Sequence, residues 1–135
     1  MSIDALQIAL EDQPQALSDD NVFHHFADGL YCRELAVKAG IALVGKVHNY
    51  EHIFTLTLGT VLIADEEDGR KAITAQYTFV SKAGARRVIL ALEDSLLMTV
   101  HRTDLETVEQ VEAELVSNPL EHLTAHDRAL LELSE

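Results

Sequence analysis

Between residues 30 and 101 the chain is a succession of short apolar runs broken by glycine- or aspartate-bearing turns, and this punctuation constrains the fold more than any other feature. LYCRELAV and IALVGKVH are divided by Lys38-Ala39-Gly40, and IFTLTL and TVLIA by Gly59. Asp65-Glu66-Glu67-Asp68-Gly69 then separates TVLIA from AITAQYTFV, which ends at Ser81-Lys82-Ala83-Gly84. RRVILAL and SLLMTVH flank Glu93-Asp94 and read as a final hairpin. Seven or so short strands of this kind predict an all-β core, an antiparallel sandwich or barrel. Residues 88–92 lack polar alternation, so both faces of some strands are expected to be covered, with the chain ends supplying the cover.

Outside this middle the period turns helical. Ile3, Leu6 and Leu10 share near-helical spacing, and residues 20–28 form a candidate second helix. After His101, Thr103 and Glu106 match a capping box, and Leu105, Val108, Val111 and Leu115 mark one stripe. Asn118, Pro119 and Glu121 repeat the start signal before a tail carrying Leu120, Leu123, Leu130 and Leu131. The expected organisation is therefore an N-terminal helical extension over 1–29, a β core over 30–101 and acidic C-terminal helices over 102–135.

Charge follows the same division. The formal net charge is −13, yet the middle is neutral; the acidic excess lies in the two flanks. Such a molecule repels phosphate backbones, which argues against a nucleic-acid groove. One cysteine, Cys32, cannot form an intrachain disulfide, and it reads as a packed thiol. No apolar stretch approaches a membrane span, and the first residues, which carry no Lys or Arg, do not resemble a secretory signal. A cytoplasmic protein is expected.

Of the seven histidines, His24 and His25 are adjacent and His122 and His126 lie one helical turn apart, but neither pair brings an evident third ligand. The informative pair is His48 and His52, at the end of one expected strand and the start of the next. No phosphate-binding loop, dinucleotide fingerprint, zinc ribbon or serine-nucleophile elbow is present.

The stretch from Gly45 to Gly59 resembles the first motif of the cupin superfamily: a glycine, two histidines separated by one residue, a glutamate shortly after, and a closing glycine. On this chain the second histidine is His48, the glutamate position is His52, the closing glycine is Gly59, and Lys46 stands at the first histidine position. The second cupin motif is matched by Lys82-Ala83-Gly84-Ala85-Arg86-Arg87, where glycine is kept, Lys82 replaces proline and Arg87 replaces histidine. HNYEH, FVSKAGARRVILALEDSLLMTVH and the helix that follows also look like small uncharacterised cupin-like proteins of phages and prophages. The resemblance implies a cupin-like antiparallel barrel (a double-stranded β-helix), and a homodimer as in many cupins.

Three readings of the interior stay open. In the first, His48 and His52 with His101 or Glu51 hold a divalent metal such as zinc, iron or nickel, around which a small molecule binds. In the second, Lys46, His48, His52 and Arg87 form a metal-free pocket for a small anion, since Arg has no lone pair for a metal but its fork suits a carboxylate or phosphate. In the third, the core is a phage-related structural or protein-interaction scaffold without catalytic activity. His101 depends on the last hairpin: a two-residue turn at Glu93-Asp94 places Val100 opposite Arg87, and a turn through Ser95 places His101 there.

Overall fold

The computed structural model of the chain describes residues 21–44, 47–65, 67–117 and 125–131. The elements in chain order are β1 (Val22–Ala27), β2 (Leu30–Val37), β3 (Ala42–Val44), β4 (Val47–His48), β5 (His52–Leu58), β6 (Thr60–Asp65), β7 (Gly69–Thr74), β8 (Tyr77–Ser81), β9 (Val88–Ala91), β10 (Ser95–Arg102), α1 (Val108–Leu115), β11 (Val116–Ser117) and α2 (Ala125–Leu131). The strands form a five-stranded sheet in the order β1-β2-β10-β5-β8, a four-stranded sheet in the order β3-β9-β6-β7, and the pair β11-β4. The expected all-β core is present as two antiparallel sheets, and among the described residues they do not close into one barrel.

Several expectations change on contact with this topology. Residues 22–27 are a strand: Asp28-Gly29 makes a two-residue turn with Gly29 at φ 75°, and Ala27 pairs with Leu30. An Asp-Gly step between apolar runs is a hairpin signal that outweighs the weak helical spacing before it. The expected helix at 2–10 lies outside the described residues, as do the start signal at 118–121 and Leu120, Leu123 and His122.

The hairpin expected around Glu93-Asp94 is a crossover instead. β9 pairs with β3 and β6, whereas β10 pairs with β2 and β5 in the other sheet. The physical reason lies in the two strands. All of β9 is buried, which suits a central strand covered on both faces, while β10 alternates. The crossover is tied to its neighbours: Leu92 N donates to Thr60 O at 2.9 Å, and Ala39 N donates to Asp94 Oδ1 at 2.9 Å. AITAQYTFV likewise divides at Ala75-Gln76 into β7 of one sheet and β8 of the other.

The core lies between the sheets, where Leu35, Val37, Leu56, Val61, Ile63, Ile89 and Leu97 pack together. The outer side of the four-stranded sheet is covered as anticipated, since Leu131 of α2 packs on Ala42, Leu62, Ala64, Val88 and Leu90. Helix α1 lays Val111 and Leu115, with Leu105, against Tyr31. Its cap is Thr107 and not Thr103: Gln110 N donates to Thr107 Oγ1 at 3.3 Å, whereas Thr103 Oγ1 accepts from Leu105 N before the helix begins.

Candidate functional site

The inner face of the five-stranded sheet runs from apolar to polar along its strands. Leu35 on β2 pairs with Leu97 on β10, which pairs with Leu56 on β5. One step on, Arg33 pairs with Thr99, and Thr99 with Phe54. A further step brings Tyr31 opposite His101, and the same register places His101 beside His52, itself paired with Ser81 on β8. Alternation alone therefore collects the polar side chains at one end of the interior.

His48 arrives by another route. Asn49 N donates to Leu115 O at 2.7 Å and Asn49 Nδ2 to Glu114 O at 2.9 Å, so the 49–51 turn satisfies the open carbonyls at the end of α1. Val116 pairs with His48, and Gly84 N donates to His48 O at 2.8 Å, joining the two motif-bearing segments. The three rings meet: His48–His52 centroids lie 4.1 Å apart, His48–His101 4.7 Å and His52–His101 4.6 Å. Their exposures are 9%, 7% and 5%. Because β10 belongs to the same sheet as β5, His101 joins the pair whatever the length of the Glu93-Asp94 turn.

Burial holds two of these imidazoles in the neutral form. It lowers the His52 pKa, opposed by the Tyr50 carbonyl that accepts from Nδ1 at 3.2 Å and assisted by the charge of Arg87. Burial pushes His101 down to about 4, with His52 and Arg33 contributing in the same direction. His101 Nε2 lies 2.9 Å from Thr99 Oγ1.

Below the histidines is a cavity of about 60 Å³, lined on its polar side by Arg33, His48, His52, Arg87 and Thr99 and elsewhere by side chains such as Phe54, Leu43 and Leu97. Among the described residues, no carboxylate lines it. Arg87 is held in place: its Nη1 donates to Ser81 Oγ, its Nε is 3.6 Å from Asp65 Oδ2, and its guanidinium lies 5.1 Å from the Phe79 ring centre. Arg33 was missed by motif-based reading, although strand alternation in LYCRELAV carries the signal, since it shares the face of Tyr31, Leu35 and Val37. Glu51 is exposed and lines an outer cleft of about 590 Å³ with Tyr50, His101 and Glu114. Lys46 lies outside the described residues.

Whether a metal fits can be judged from the donors. Imidazole is a suitable ligand for zinc, iron or nickel. Among the described residues, however, no group of three or more His, Cys, Asp or Glu is disposed to hold a metal ion. His101 is inclined only 26° to each of the other rings, a stacked arrangement, and two arginines border the same space. As they stand, the residues do not fit a bound dication.

The other histidines are accounted for locally. His24 Nδ1 is 2.7 Å from the Tyr31 hydroxyl, and His25 Nε2 is 2.8 Å from Glu34 Oε2. His126 is exposed on α2. Burial and the neighbouring Glu34 push the Cys32 thiol pKa up, which keeps it protonated and unreactive.

No family model and no curated protein sequence matches the chain. Solved structures do. A cupin-2 domain-containing protein from Shewanella frigidimarina superposes with TM-score 0.51 at 15% identity, over 64% of this chain and 84% of that one. The Clostridium difficile EutQ protein gives TM-score 0.51 at 13% identity, over 70% and 78%. A cupin superfamily protein from Desulfitobacterium hafniense gives 0.50 at 11%, over 69% and 93%. The fold is cupin-like. Among the described residues, no helix is long and apolar enough to cross a membrane.

Proposed function

We propose that the chain is a cupin-like small-molecule-binding protein whose ligand occupies the interior cavity beside His48, His52 and Arg87. The observation that carries this reading is the cavity itself. A plain scaffold would fill that space with Phe54, Leu56 and Val88, but Val88 packs in the cluster beneath α2, Leu56 sits deeper in the core, and Phe54 forms a wall. The cost of burying histidines and arginines around a void is explained if a polar ligand meets them there. The phage-related source implied by HNYEH and a homodimeric state belong to the same proposal.

The close approach of His48, His52 and His101 favours a second reading, in which the rings turn to hold zinc, iron or nickel. A thermal-shift screen of small polar molecules tests the first reading. Compounds that raise the melting temperature of the wild-type chain should lose their effect on His52→Phe, which removes a polar wall of the cavity. A screen in which no compound stabilises the wild-type chain, or in which His52→Phe responds equally, would overturn the interior-pocket reading.

A further inference from the structure

Two cations face the interior cavity, and they differ in how they are satisfied. Arg87 has Ser81, Asp65 and the face of Phe79. Arg33 enters from the opposite wall, fixed by its pairing with Thr99 on one side and His24 on the other. Its Nε is buried and, among the described residues, has no hydrogen-bond partner. Burial lowers the Arg33 pKa, opposed by Tyr31 and Glu112, but a guanidinium stays protonated. A buried donor without an acceptor forfeits its hydration uncompensated, and the loss is greater when it is charged. Among the described residues no carboxylate lines the cavity, and the Thr99 hydroxyl meets His101.

We propose that the interior cavity is a site for a small carboxylate, of formate or acetate size, whose oxygens accept from the Arg33 guanidinium while its carbon end rests on the apolar wall. The inference rests on the interior-pocket reading above and names its ligand class. A carboxylate suits the site in three ways. Its planar oxygens match a guanidinium edge, a space of about 60 Å³ admits only a few heavy atoms, and the Phe54 side of the cavity suits a methyl group better than water. An anion between Arg33 and Arg87 also offsets the repulsion of two cations that border the same space.

The test is calorimetric titration of the full chain in chloride-free buffer with acetate, its neutral isostere acetamide, inorganic phosphate and chloride. Acetate should bind saturably and at least about tenfold more tightly than acetamide, the size expected of one hydrogen bond to a charged group. Arg33→Gln should weaken acetate by about the same factor and leave acetamide unchanged. Arg33→Met, which keeps the apolar stem, serves if the glutamine variant does not fold, and unchanged acetate affinity in either folded variant would overturn the assignment. Equal binding of acetamide and acetate would overturn the carboxylate site and leave the interior pocket standing. Preference for phosphate or chloride would also overturn it. If no probe binds here but the stabilising compounds of the broader screen do, the carboxylate inference alone fails; if neither binds, both readings fall.

Discussion

His101 on β10 and His52 on β5 face each other across the sheet with ring centroids 4.6 Å apart, and His52 disfavours a proton on His101. This arrangement has a consequence for stability. An unfolded histidine titrates near 6.5, whereas burial and the adjacent His52 hold His101 at about 4 in the folded chain. Between these values the unfolded state binds the extra proton, so stability is fully present above pH 6.5 and declines as pH falls toward 4. The loss attributable to His101 is on the order of 3 kcal/mol, and His52 acts in the same direction. Urea unfolding at pH 7.5, 5.5 and 4.5 should show this fall, and His101→Gln should flatten it. A wild-type stability that is constant over the range would contradict the buried, neutral pair.

Gly59 offers a prediction at the motif's end. Its φ is 91°, and a Cβ there would lie against Ser95 Oγ and 2.5 Å from the Asp94 carbonyl oxygen. Gly59→Ala therefore meets both backbone strain and a clash with the β9–β10 crossover. We expect a loss of roughly 3 kcal/mol or more, read by chemical denaturation. A variant within about 0.5 kcal/mol of wild type would refute this role.

Much of the fold was legible because its signals were local. The alternating strands, the Asp65–Gly69 turn and the double-sided burial of Val88–Ala91 follow from residue spacing and glycine chemistry, although Leu92, expected to be covered with them, is exposed. Sheet membership was not legible. Glu93-Asp94 has the composition of a hairpin turn, and only the competition among strands for central, doubly covered positions sends β9 and β10 to different sheets. The same limit hid the answer for His101, whose face depends on its pairing with β2 and β5. His48, His52 and Arg87 were found from motif positions, while Arg33 and Thr99 have no motif and become visible only when β2 and β10 are laid side by side.

The metal reading makes its own forecast. If the three rings turn to hold an ion, gently purified protein should contain stoichiometric zinc, iron or nickel by elemental mass spectrometry. His48→Ala and His52→Ala should then remove it while circular dichroism stays unchanged. Substoichiometric metal, with no saturable uptake after chelator treatment, would end that reading and leave the interior pocket unaffected.

The outer face of the five-stranded sheet bears on oligomeric state. His25, Cys32, Val100, Ile53 and Val80 form one continuous row across all five strands, with Ile53 38% and Val80 55% exposed. The apolar part of this row, from Cys32 to Val80, suits burial against a second copy. Light scattering should give twice the chain mass, and Val80→Lys should halve it. A concentration-independent monomer would contradict the expected homodimer.

The central claim is that a small molecule enters the space beneath the three histidines. Imidazole nitrogen–proton correlation spectra, recorded while compounds from the stabilisation screen are added, test it most directly. The account predicts saturable shifts at His48 and His52, with the exposed His25 and His126 unmoved. Shifts confined to the exposed histidines, with the buried rings unchanged at saturating ligand, would contradict it.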